Sequence, residues 1–383
     1  MRNYVMIPSL LIRCCSYSNQ SGSRKFASSL NYKAFVPYLH PSFREASTKA
    51  AFCNKVDEPL KIEDYKEEKL NKGEIRIKVH YCALNPRDLL LIKGAIPAKT
   101  PFVPGYEVSG EVIEIAKGDG KESTKDDDDD DSIVVGDKVV ALSKSWLGGL
   151  RSHCVAPIQD VWKFKAIESE KAAGLIINYG HALLSLFRRA KIKKDKVLVI
   201  TADTGGRGLA ALDIAANVYK AKVVGVCDSS EMADFMRERG AWSAIKMDAK
   251  SLKAAVRDIV GDKGVDIVYE TVGGNFLAGA MQCVKHEGLV ILADIPGPED
   301  VIKPAEWFNM PHTFNMTALS LHHYRDRDYP VYRQAVSDVI ELCEQNLISP
   351  DVPHIFELKD VNEAVKMLKE HKVLGKILVK LGG

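Results

Sequence analysis

Residues 197–211 read VLVITADTGGRGLAA: a β-branched hydrophobic run, a glycine cluster, then a helical stretch. This segment constrains the fold more than any other. Thr204-Gly205-Gly206-Arg207-Gly208 packs three glycines into four positions. Glycine permits φ > 0 and close backbone approach, and the helix that follows presents free N–H groups with a partial positive charge. A turn so placed between strand and helix fits a dinucleotide pyrophosphate; an ordinary strand-to-helix turn is the alternative. Arg207 would favour phosphates, whereas Asp203 has the wrong sign or only caps the helix.

The surrounding pattern repeats the unit. Lys196–Thr201, Lys222–Cys227, Val265–Tyr269 and Leu289–Ala293 are short apolar runs of the kind buried on both faces of a parallel sheet. Leu209–Val218 and Leu252–Val260 between them are of helical length. The alternation predicts a doubly wound α/β sheet. At the end of its second strand stand Asp228, Ser229 and Ser230, with no Lys or Arg in that loop. Asp228 suits a ribose 2′-hydroxyl and hence NAD(H); the two serines could instead donate to the 2′-phosphate of NADP(H). Val272, in Thr271-Val272-Gly273-Gly274 after the third run, is placed to line the same pocket, unless that segment is a plain turn.

Residues 50–165 have a different texture. Glu74–Tyr81 alternates as a half-buried strand, and Val108–Ile115 and Asp137–Leu142 are also strand-like. Between the last two lies GDGKESTKDDDDDDS at 118–132, which reads as a solvated loop because six adjacent aspartates repel one another. It lacks the spacing and glycine of a calcium loop. A helix is predicted around Arg333–Glu344, and the strand Gly375–Leu381 is expected to return to the first domain. The expected organisation is a leader or disordered segment at 1–47, a β-domain at 48–170, a dinucleotide-binding domain at 171–315 and a returning segment at 316–383.

Other features exclude function classes. Net charge is +2 with no basic stripe, which argues against nucleic acid, and no run reaches the length of a membrane span. Eight cysteines are scattered without a C-x-x-C pair, so neither a disulfide framework nor a zinc ribbon is expected. Met1–Arg44 has no acidic residue, six Arg or Lys and eight serines. That composition suits mitochondrial import to the matrix; an untargeted tail and a cytoplasmic protein are the alternative.

Asn85-Pro86-Arg87-Asp88, VPGYEVSGEVI at 103–113, VGDKVVAL at 135–142, the glycine turn, TVGG at 271–274 and GKIL at 375–378 occur in that order. Together they resemble the zinc-independent quinone oxidoreductase branch of the medium-chain dehydrogenase/reductase superfamily, over about residues 55–383. The resemblance implies a GroES-like β-domain plus a Rossmann domain. It implies NADP(H) ahead of NAD(H), a small quinone or enone as substrate, and a possible homodimer. Zinc enzymes of the superfamily place Cys at Asn85 and a His-Glu pair at Tyr106-Glu107, so the resemblance implies no zinc here. Asn85 would contact the cofactor or substrate carbonyl, or merely serve the turn before Pro86. Tyr106 and His181 are the candidate proton donors; packing is the competing role for each. His322 and His323, placed on a strand, point to opposite faces and are read as structural. Met232 and Met247 stand where the resemblance would put 2′-phosphate contacts, and Asp294, His181 and Arg151-Ser152 also depart from it. These departures keep open a catalytically weak dinucleotide-binding module acting as a sensor or interaction protein.

Overall fold

The computed structural model describes residues 48–116, 132–202, 206–246, 252–293, 313–370 and 373–382. The leader, the aspartate loop, Asp203–Gly205, Met247 and Asp294 therefore lie outside the described residues. Ser47–Gly383 form one compact unit.

Two large sheets organise it. β1 (Lys49–Phe52) and β2 (Lys61–Asp64) form a separate ribbon; the first large sheet has seven strands, with β3 (Glu74–Ala83) at its centre. β3 pairs antiparallel with β4 (Glu107–Ile115) on one edge. Its other edge takes β6 (His153–Pro157) along its first half and β15 (Ile377–Lys380) along its second. β5 (Lys138–Leu142), β7 (Val161–Lys163) and β14 (His354–Glu357) complete the sheet. The alternation in EIRIKVHY predicts one solvated face, yet both faces of β3 are largely buried. The extended segment before it supplies the cover: Arg76 donates to the Glu68 carbonyl at 2.6 Å and pairs with Glu67 and Glu114.

The second sheet is wholly parallel, in the order β10 (Ser243–Lys246), β9 (Lys222–Cys227), β8 (Val197–Thr201), β11 (Val265–Glu270), β12 (Val284–Leu292), β13 (Asn315–Ala318). Chain order reverses between β8 and β11, which makes that pair the topological switch point of a Rossmann sheet. α4 (Gly206–Asp213) follows β8 and continues through one π turn, Ile214–Val218. α5 (Ser230–Glu238), α6 (Leu252–Val260) and α7 (Gly274–Met281) are the other crossovers. α4 packs with α3 (Ile176–Leu184), and α3 with α9 (Tyr329–Glu344), around Leu198, Ile200, Tyr269 and Tyr332.

The expected boundary at residue 316 falls inside β13, so β13 and the helices α8 (Leu321–Arg327) and α9 accompany the second sheet. β14, α10 (Val361–Lys369) and β15 belong to the first. His322 and His323 sit on α8 and not on a strand, because Ser320 caps a helix there by accepting from His323 N.

Candidate active site

The C-terminal ends of β8 and β11 open on the start of α4. Gly206 has no room for a side chain: a Cβ would stand 2.8 Å from Asn178 Nδ2. Gly208 is equally confined, with Thr201 O and Ala202 at 2.8 Å from an added Cβ. The glycines therefore bring α4 hard against β8 and α3. Thr204 and Gly205 lie outside the described residues. Arg207 sends Nη1 to the Ala293 carbonyl at 2.6 Å, tying α4 to the end of β12.

Glu270 holds the opposite wall. Its buried carboxylate accepts from the N–H groups of Val272 and Gly273, at 2.9 and 3.0 Å, and from the Thr201 hydroxyl at 3.0 Å. Val272 was expected to line the pocket through its backbone; its N–H is instead given to Glu270, so only its carbonyl and side chain are available. Thr271 locks the turn further, with N and Oγ1 bonded to Thr201.

At the end of β9, Asp228 and Ser230 are exposed, and Ser229 caps α5 by accepting from Met232 N at 3.1 Å. The cation absent from that loop comes from the neighbouring strand. Lys246, exposed at the end of β10, is in register with Cys227.

The first sheet contributes a buried polar cluster. Asn85 precedes α1 (Pro86–Ile92), whose Asp88 accepts from Asn85 N and Gly105 N, both at 2.9 Å. Burial nonetheless pushes the Asp88 carboxyl up to about 6, the two N–H bonds and Lys376 opposing the shift. The Asn85 amide donates to Glu107 at 3.1 Å and accepts from Lys376 Nζ at 2.6 Å. Lys376 also pairs with Glu107 at 2.8 Å, and Glu107 takes the Ile177 N–H at 2.9 Å. Asn85 thus spends most of its amide inside the protein, with one Oδ1 lone pair left over. Lys376, Gly206, Asn178 and Gly375 line one small cavity, so this cluster and the glycine turn share a crevice.

The two proton-donor candidates separate. His181 is 4% exposed, and both ring nitrogens are engaged: Nε2 with the Leu319 carbonyl at 2.9 Å, Nδ1 with Tyr269 Oη at 3.0 Å. The carbonyl requires the proton on Nε2, so Nδ1 accepts from the tyrosine. Burial, and then the Arg207 charge, lower its pKa to about 3. His181 is a neutral brace between α3, β11 and α8, and the sequence expectation of a proton donor is corrected. Tyr106 lies beside Trp146, with ring centroids 4.9 Å apart, and burial drives its phenol well above the usual range.

Two family models match: "Alcohol dehydrogenase GroES-like domain" over residues 71–175 and "Zinc-binding dehydrogenase" over residues 239–379. The chain is 30% identical over 338 residues to quinone oxidoreductase-like protein 2 of Bos taurus, covering 87% of this chain and 92% of that one. A homolog of the same protein in Nematostella vectensis is 31% identical over 340 residues, with 87% and 89% covered. The chain belongs to the quinone oxidoreductase-like family of the medium-chain dehydrogenase/reductase superfamily. Among solved structures, Escherichia coli quinone oxidoreductase complexed with NADPH superposes with a TM-score of 0.75 at 24% identity, over 87% of this chain and 99% of that one. The human synaptic vesicle membrane protein VAT-1 homolog-like protein gives 0.71 at 22% identity, over 88% and 98%.

Within this quinone oxidoreductase-like chain, Lys376, Glu270 and Lys246 escape sequence reading. Each acts on a residue distant in sequence or on a neighbouring strand. Their one legible signal is position, since each stands at or beside the end of a strand.

Proposed function

We propose that the chain is an NAD(P)H-dependent reductase that passes hydride to a quinone or an α,β-unsaturated carbonyl compound without zinc. The observation that carries this reading is the shared crevice. There the glycine start of α4, at the switch point, lies against Gly375, the residue before the buried Lys376 that Asn85 and Glu107 hold. The residues present fit a dinucleotide: α4 offers free N–H groups for a pyrophosphate, and the side-chain-free positions allow close approach. The turn fixed by Glu270 walls the crevice where a nicotinamide ring would lie.

When bound, the dinucleotide supplies the hydride; the protein orients it and stabilises the charge that develops on the acceptor. Two features favour the metal-free form. Asn85 replaces the expected thiolate ligand, and the Lys376 ammonium already occupies the carboxylate that a cation would seek. Ammonium and metal would repel one another there. Lys246 beside Ser229 and Ser230 supports NADP(H); the exposed Asp228 favours NAD(H), which stays the alternative. The acid-free leader supports import to the mitochondrial matrix, and the place of β13 at the end of the second sheet among the described residues supports a homodimer. The second reading, a dinucleotide-binding module with little turnover, is favoured by the sequestration of His181.

Calorimetric titration of the chain lacking its leader with NADPH and NADH, followed by a quinone and enone screen, tests the reading. We expect saturable NADPH oxidation. Lys246→Glu should weaken NADPH about tenfold while changing NADH affinity little, the loss of one phosphate pair being worth about 1.4 kcal/mol. Binding without oxidation of the cofactor would establish the module instead, and failure to bind either dinucleotide would remove both.

A further inference from the structure

Beside the crevice lies a second constellation that neither dinucleotide binding nor the Asn85 cluster uses. Trp146 sits between Tyr106, at 4.9 Å between ring centroids, and His322, at 4.4 Å. The three rings come from three places: the entry to β4, the short turn Lys144–Trp146 after β5, and α8. The neighbours are tilted 38° and 58° to the indole, so neither lies flat on it.

The backbone holds Trp146 there at a cost. Ser145 and Trp146 both have left-handed φ, 56° and 57°, a conformation that side chains with a Cβ rarely adopt. Such strain persists where the surroundings over-determine it, and it concentrates at ligand sites. Here Ser143 does the determining. Its N–H donates to the Tyr106 carbonyl at 2.8 Å and its hydroxyl to the Leu147 carbonyl at 2.6 Å, so the turn is registered against Tyr106.

Arg87 completes the constellation. It lies in the first turn of α1, two residues after Asn85. Its neighbour Asp88 accepts from Gly105 N at 2.9 Å, which sets this turn of α1 against the residue before Tyr106. Among the described residues the buried Nε of Arg87 has no hydrogen-bond partner. A buried guanidinium N–H left unpaired is costly and rare in a native protein, and it marks Arg87 as the cation of this cluster whose hydrogen-bonding capacity the chain leaves unspent.

We propose that Trp146, flanked by Tyr106 and His322, is the platform for a flat conjugated carbonyl compound whose oxygen is received by Arg87. The proposal rests on the reductase reading and names the acceptor's seat within it. Hydride from the reduced nicotinamide forms a new C–H bond on the acceptor's conjugated carbon. The π pair of that carbon shifts through the conjugated system onto the carbonyl oxygen. The oxygen becomes an enolate or phenolate, and the Arg87 guanidinium stabilises it where a zinc enzyme would use its metal. The oxygen then takes a proton from water, His181 being sealed off.

The test uses the full chain and 1,4-naphthoquinone. Without cofactor, the quinone should quench tryptophan fluorescence saturably, and the quench should be largely lost in Trp146→Phe. With NADPH, Arg87→Met should lower kcat/KM about 100-fold, the usual scale for removing an oxyanion donor. Its NADPH affinity by calorimetry should stay within about twofold, because the lost bond is to the acceptor. Melting curves of both variants report whether they fold. Quenching that survives in a folded Trp146→Phe, or an Arg87→Met that loses NADPH affinity in step with turnover, overturns the proposal. Saturable Trp146-dependent quenching with no turnover in the wild type supports the platform and removes the reductase reading alone.

Discussion

At the scale of single residues, burial decides what a titratable group can do. His181 is the clearest case. Its folded pKa, about 3, is below the unfolded value of about 6.5, so the fold favours the neutral ring. The stability it contributes is fully present above pH 6.5 and is lost as pH falls toward 3, at about 1.4 kcal/mol per pH unit. His181→Gln removes that dependence and gives up a buried hydrogen bond worth about 1 kcal/mol at pH 7. Denaturant melts between pH 7 and pH 5 should therefore show a steeper fall for the wild type than for the variant. Equal slopes would mean that folding does not depress the ring's pKa. Because His181 carries no transferable proton, the variant should also keep kcat within about threefold, a change of under 1 kcal/mol in the barrier.

At the scale of elements, the short turn Lys144–Trp146 stores strain to place one ring. Ser145→Gly relieves a left-handed residue worth about 1–2 kcal/mol and returns about 0.5–1 kcal/mol of unfolded-state freedom. The net expectation is a gain of about 0.5–1 kcal/mol in stability, with a looser Trp146 and a KM for the acceptor raised severalfold. A variant that is both less stable and unchanged in KM would show that Ser145 is not strained and that the turn does not set the ring. The same scale shows what a sequence can disclose. β8, β9 and β11 were legible because strands buried on both faces are continuous β-branched runs. β13 (NMTA) was not, because an edge strand needs no apolar pattern, and β10 (SAIK) is too short to carry one. α8 was misread because LHHYRDR has no apolar period, its start being set by the Ser320 cap. The glycine turn announced the crevice, but Lys376 could not be read as the partner of Asn85. They are 291 residues apart and meet only because β15 returns to β3.

At the scale of the whole molecule, the sheets are joined at a seam where the edge of the first meets α8 and α9. Asp160, 3% exposed at the side chain, takes three hydrogen bonds from the Arg325 guanidinium on α8, two of 2.9 Å from Nε and one of 2.5 Å from Nη2, and one of 3.2 Å from Tyr332 on α9. Arg333 donates to the Val161 carbonyl, and Glu344 receives the Lys165 N–H at 2.6 Å. The first sheet's edge at 158–165 is thus bolted to two helices that pack on the second. With the chain returning through β14 and β15 as well, the two sheets should melt together. Differential scanning calorimetry of the wild type should show a single transition with equal calorimetric and van't Hoff enthalpies. Asp160→Ala leaves the Arg325 charge without its partner. Removing one member of a buried pair costs about 3–5 kcal/mol, less here because Arg325 reaches solvent, so about 2–4 kcal/mol is expected. The loss falls on the seam and on neither core, so the transition should move down and separate into two. NADPH affinity should change little, since the crevice is built by β8, β11, α4 and the Asn85 cluster. A single lowered transition would place the Asp160 contribution within one cooperative core, and the seam would then lie elsewhere.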